Sequence, residues 1–176
     1  VAEHPPWAAK HGCGKAVELL LEREDVSPNR PDKNGRTPLW WAAWNKRVGA
    51  AEPLLEREDV DPSAPDNNGQ TLLSWATRNG RVGVVELLLG RREASPGRPD
   101  NSGRIPLWRA AWNGRVGVVE LLLARKEVDH DTPDDDGRAV LSWAACNEHE
   151  VVKLLLKEED VSPDTNLCAC GFQDRM

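Results

Sequence analysis

Residues 34–45 read NGRTPLWWAAWN, and the phrase returns as NGQTLLSWATRN over 68–79, SGRIPLWRAAWN over 102–113 and DGRAVLSWAACN over 136–147. Gly35, Gly69, Gly103 and Gly137 therefore stand 34 residues apart. A worn earlier copy, HPPWAAKHG over 4–12, puts Trp7 in phase with Trp41, Trp75 and Trp143. A fixed period of this size specifies a stack of small units that bury their apolar faces on one another, not a globule around one central core. Five copies cover nearly the whole chain, with bounds near 1–33, 34–67, 68–101, 102–135 and 136–166 and a divergent tail over 167–176. They form a single repeat domain in this reading.

Each copy opens on Asp-x-x-Gly, from Asp32, Asp66, Asp100 and Asp134, which is turn chemistry: the carboxylate accepts from nearby backbone N–H groups and glycine tolerates positive φ. In Thr37-Pro38-Leu39 the threonine can cap a helix, and proline fits the first helical position, where its missing N–H costs nothing. A short helix then runs to about Asn45, with Leu39, Ala42 and Ala43 as its buried stripe. The alanines keep it slim enough for the next layer to approach.

After a tight turn, such as Asn79-Gly80-Arg81, a second helix carries Val-Val-x-Leu-Leu-Leu, as over Val84–Leu89. Its charged end, Glu22 to Val26 and Glu56 to Val60, reads as a solvated face. Ser27-Pro28, Asp61-Pro62, Ser95-Pro96 and Ser162-Pro163 stop the helix and return the chain to the next turn.

The net charge of −6 and a pI near 5.3 argue against a partner made of phosphate backbone, so no nucleic acid is expected. No apolar run is long enough to cross a bilayer, and no membrane association is expected. The start, Val1 to Pro6, lacks both an apolar leader segment and an initiator Met, so the chain is expected to begin inside a longer protein. Cys13, Cys146, Cys168 and Cys170 share no phase and read as free thiols in an intracellular protein, cytoplasmic or nuclear.

The order turn, Gly-x-Thr-Pro-Leu-x-x-Ala-Ala, then Val-Val-x-Leu-Leu-Leu, then a loop back to Asp, resembles the ankyrin repeat over roughly residues 4–166. Leu-Ser-Trp-Ala, at Leu73 and Leu141, together with Leu-Leu-Glu-Arg-Glu-Asp-Val-x-Pro, also resembles the long ankyrin arrays of filamentous fungal proteins. The resemblance implies an all-α solenoid of helix–turn–helix copies joined by β-hairpin-like turns. It also implies a scaffold or sensor setting, in which such arrays often lie behind a nucleotide-binding switch domain. Three departures matter. The family's histidine after Thr-Pro-Leu is replaced by Trp40, Ser74, Trp108 and Ser142. Pro53 sits where other copies have Leu87 and Leu121, so that helix is expected to bend or begin late. Copy five is one residue shorter between its helices, so its turn must tighten.

Ankyrin arrays usually grip protein partners with the turn tips and the exposed side of the first helix, which form a concave groove. Carried over by phase, this marks Arg36, Trp40, Trp44 and Asn45 in copy two and Gln70, Arg78 and Asn79 in copy three. Copy four adds Arg104, Trp108, Trp112 and Asn113, and copy five adds Arg138. Trp40 and Trp44 recur as Trp108 and Trp112, a super-period of 68. As i, i+4 neighbours they lie beside the apolar stripe, where Arg78 could stack between Trp44 and Trp112 as a cation–π centre. The column Trp7, Trp41, Trp75, Trp143, interrupted by Arg109, reads as packing.

Other signals are weaker. Gly12-Cys13-Gly14-Lys15 lacks the spacing of a phosphate loop, and Cys168 and Cys170 are two thiols without further metal ligands. His4, His11, His130 and His149 fall at unrelated phases and pair with no nucleophile. The sequence thus points to a non-catalytic, monomeric protein-binding module without cofactor or metal. The alternative is a reader of methyl-lysine or another small cation in a tryptophan-lined groove.

Overall fold

The computed structural model describes residues 9–11, 14–23, 26–44, 48–91, 93–147 and 149–157. Trp7, His4, Cys13, Asn45, Cys168, Cys170 and the tail 167–176 lie outside these, as do the side chains of Cys146, Asn147 and His149. Besides the helical residues 9–11, the described residues contain nine α-helices of seven or eight residues and no strand: α1 (Gly14–Leu21), α2 (Pro38–Trp44), α3 (Val48–Leu55), α4 (Leu72–Arg78), α5 (Val82–Leu89), α6 (Pro106–Trp112), α7 (Val116–Leu123), α8 (Val140–Asn147) and α9 (His149–Leu155). The hairpin-like connections are hydrogen-bonded turns.

The chain divides into two compact units, one of Val1–Ala76 with Gly83–Ser95 and one of Thr77–Val82 with Pro96–Met176. In the first, α3 packs against both α1 and α2. In the second, α6 packs on α7 and α8, and α9 packs on α7 and α8. Helices this short are unstable alone, and their stability comes from burying one face on a neighbour. The buried faces are those the period marks. Leu39, Ala42 and Ala43 of α2 are at most 3% exposed, and Leu107, Ala110 and Ala111 of α6 are fully buried. The second helices contribute Leu54, Val85, Leu88, Val118, Val119, Leu122, Val151 and Leu155, all buried.

Turn chemistry sets the start of each first helix. In the first unit the Oδ1 of Asp32 accepts from the N–H groups of Asn34 (2.8 Å) and Arg36 (3.0 Å), and that of Asp66 from Asn68 (2.9 Å) and Gln70 (3.0 Å). In the second, Asp100 and Asp134 do the same for Ser102, Arg104, Asp136 and Arg138. The phased glycine lies in the left-handed region, φ 80° at Gly35 and 69° at Gly103. It has a second reason to lack a side chain. A Cβ at Gly35 would sit 2.7 Å from the Asn67 backbone nitrogen, and one at Gly103 2.7 Å from that of Asp135. Adjacent tips come this close because they hydrogen-bond, the N–H of Asn67 donating to the carbonyl of Asn34 at 3.0 Å.

Thr37 caps α2 as its sequence suggests, its Oγ1 accepting from Trp40 N–H at 3.3 Å, and Thr71 caps α4 through Ser74 N–H at 3.2 Å. Ile105 precedes α6 with an extended backbone and no side-chain cap, so Pro106 starts that helix alone. Pro53 does not delay α3. It begins at Val48, in phase with Val82 and Val116, and contains the proline. The shortened connection of copy five leaves only position 148 between α8 and α9, where α4 and α5 are separated by three residues.

Outer loops repeat their own device. Asn29 ties copy one to copy two: its Nδ2 donates to the Asp59 carbonyl, and its Oδ1 accepts from Asp61 N–H at 3.0 Å. The buried Ser63 does the equivalent one copy later, donating to the Glu93 carbonyl at 2.6 Å and accepting from Ser95 N–H at 3.2 Å.

Candidate functional site

In copies two, four and five the second oxygen of the turn Asp positions a side chain of the first helix. Trp41 Nε1 donates to Asp32 Oδ2 at 3.1 Å, and Trp143 Nε1 to Asp134 Oδ2 at 3.1 Å. In copy four the residue in this phase is Arg109, and its guanidinium takes the same oxygen of Asp100, through Nε at 3.1 Å and through Nη2. At Trp41 and Trp143 the column expected to be packing thus supplies donors that join helix to turn across nine residues. Arg109 is a member of that column and not an interruption.

With these residues fixed, the remaining indoles cluster. In the first unit Trp40 stacks on Trp44 at 4.9 Å and 19°, and Trp75 closes against both at 5.5 and 4.9 Å. In the second, Trp108 lies parallel to Trp112 at 5.8 Å and 12°, and Trp143 meets both edge-on. The expected pairs therefore split by depth. Trp44 and Trp112 are 42% and 39% exposed. Trp40 and Trp108, expected on the accessible face, are buried at 2% and 3%, because an indole of the next copy covers them.

Three of the cations that stack here come from the turn of the same copy. The sequence pointed to Arg78, which is exposed and whose carbonyl accepts from Arg115 Nε at 3.2 Å. The guanidinium of Arg36 lies 4.1 Å from the ring centre of Trp40 and 5.7 Å from that of Trp44. Arg104 lies 4.4 Å over Trp108, and Arg138 4.5 Å over Trp143. Such contacts are worth roughly 0.5–2 kcal/mol each. Of the other expected residues, Asn79 is exposed and Gln70 half-buried. Asn113 is occupied structurally, its Nδ2 returning to the Arg109 carbonyl at 2.8 Å to finish α6.

Two donors in each Trp–Trp–Arg cluster are buried without an acceptor among the described residues: Arg36 Nε and Trp40 Nε1, and Arg104 Nε and Trp108 Nε1. A buried donor left unpaired costs about 1–3 kcal/mol. The same cost recurs at two positions 68 residues apart. Sequence patterning could not reveal it, since pairing depends on which neighbour covers the ring.

Ankyrin repeats are the family model that the chain matches, in three overlapping copies over residues 6–66, 47–134 and 94–166. The chain belongs to the ankyrin-repeat family. A search of curated proteins found no match. Ankyrin repeats are generally protein–protein interaction modules and typically non-catalytic. In this ankyrin array, no group of three or more His, Cys, Asp or Glu side chains is gathered as a metal site among the described residues. Nor is any described helix long and apolar enough to cross a membrane.

Proposed function

We propose that this ankyrin array binds a partner protein without catalysis, as a monomer inside the cell, through its turn tips and the exposed sides of its first helices. The observation that carries this is the pair Trp44 and Trp112, large indoles about two-fifths exposed yet held in place by a stacked indole. Arg36 stands beside Trp44, and Arg104 lies over Trp108, the indole stacked on Trp112. Trp and Arg dominate interface hot spots, and a side chain already ordered by stacking loses little entropy on association. Arg78, Asn79, Gln70 and Arg138 extend the surface in this reading.

A cage for methyl-lysine finds less support. A quaternary ammonium needs open indole faces, and those of Trp40 and Trp108 carry the protein's own guanidinium groups. Titration with a trimethyl-lysine peptide should leave the tryptophan emission unchanged.

The test is selection of peptide binders from a random display library against the intact chain, counter-screened with Trp44→Ala and Trp112→Ala. Binders that lose affinity for either variant, while urea unfolding shows both variants folded, support the reading. No binders, or binders indifferent to both substitutions, would refute it.

A further inference from the structure

The turn position two residues before each stacked arginine separates copy five from copies two and four. In copy five this position is Asp136, and its Oδ2 accepts from Arg138 Nη2 at 3.1 Å while the guanidinium rests on Trp143. The chain itself thus shows what a tip arginine lying on an indole takes: a carboxylate. The positions in phase with Asp136 in copies two and four are the neutral Asn34 and Ser102. Arg36 and Arg104 lie over Trp40 and Trp108 at 4.1 and 4.4 Å, and neither forms an ion pair among the described residues. Of their guanidinium nitrogens only Nε is buried and unpaired, so the two Nη groups are the end open to solvent. A guanidinium clamped on an aromatic face with its Nη fork outward is arranged for a planar, two-oxygen anion.

We infer that Arg36 and Arg104 are carboxylate-receiving positions, and that the partner presents an acidic segment whose Asp or Glu side chains fill the places Asp136 fills in copy five. This rests on the protein-binding reading above and names the chemistry of the partner. Arg138 is the closed member of the row, occupied from within. Each unit carries one open position, Arg36 in the first and Arg104 in the second. The chain's overall negative charge works against such a partner at long range, so recognition depends on these local arginines.

The test is fluorescence titration of the intact chain with a hexaglutamate peptide and its hexaglutamine counterpart. Wild type should bind hexaglutamate roughly tenfold more tightly. The substitutions N34D and S102D, both at exposed tips, supply internal carboxylates like that of Asp136. Together they should weaken hexaglutamate binding roughly tenfold without moving the urea midpoint. The pair R36Q and R104Q should do the same. Equal behaviour of the two peptides, including no binding of either, overturns the inference, as does wild-type affinity in the N34D/S102D chain. Library binders dependent on Trp44 but indifferent to R36Q and R104Q would sink it while leaving the protein-binding reading intact. A library that yields nothing removes that reading whatever hexaglutamate does.

Discussion

Arg109 and Asp100 form a largely buried ion pair, with side chains 13% and 2% exposed, in the place where copies two and five use an indole N–H on the same carboxylate oxygen. In these three copies the turn Asp receives a donor on its second oxygen. Whether that donor is neutral or charged is left free, and the two choices differ in what their loss costs.

Asp100→Asn should therefore destabilise the protein by about 3 kcal/mol, since it strands a guanidinium in a site that excludes most water. Asp134→Asn removes only the stronger acceptor for a neutral Trp143 N–H and should cost about 1 kcal/mol. Arg109→Trp restores the indole of the other copies and should stay within about 1.5 kcal/mol of wild type. Urea midpoints of the three variants check the ranking.

Gly103 and Gly137 share a left-handed backbone, φ 69° and 75°, but differ in their surroundings. A Cβ at Gly137 meets nothing within 4 Å, whereas at Gly103 it collides with Asp135. Gly137→Ala should cost about 1 kcal/mol from backbone conformation alone. Gly103→Ala should cost at least twice as much by chemical denaturation, because the tip hydrogen bond from Asp135 to Ser102 must open as well.

Pro53 lies inside α3 and removes a backbone donor from an otherwise regular helix. Replacing it with the leucine found in phase at positions 87 and 121 should raise stability by about 2 kcal/mol. An unchanged thermal midpoint would mean that α3 has already adjusted to the proline.

Arg57 holds Asp59 below the usual carboxylate range, chiefly through hydrogen bonds of 2.8 Å from Nε and Nη2. A carboxyl with a lowered folded pKa contributes stability above its unfolded value and loses it as pH falls through the folded one. The small stability difference between wild type and Asp59→Asn should be present at neutral pH and vanish in acid below the Asp59 pKa. Urea titrations over that range read it directly.

Much of the fold could be read from spacing, because a 34-residue period, an Asp-x-x-Gly turn and a Thr37-Pro38 start are local signals whose partners lie within a few residues. The apolar stripes followed, since helical geometry fixes them. What escaped the sequence was set by contacts between neighbours. For Trp40, i, i+4 spacing gives a face and not its cover, and Trp75 supplies the cover. The bond from Trp41 to Asp32 was missed because an aromatic in phase looks like core until its N–H is found to have a partner nine residues back. Arg36 stacking on Trp40 was missed for a related reason: the turn, not a helix, brings those residues together.

Seven of the eight tryptophans sit in first helices, and none lies in a second helix. Stacked indoles couple electronically, so far-ultraviolet circular dichroism of this protein should carry an aromatic couplet on top of its helical bands, and helix content estimated from it will be distorted. That couplet is a built-in reporter of the tip-proximal layer. During unfolding it should fade when the indoles separate, and emission and helical ellipticity will coincide only if both helices of a copy melt together.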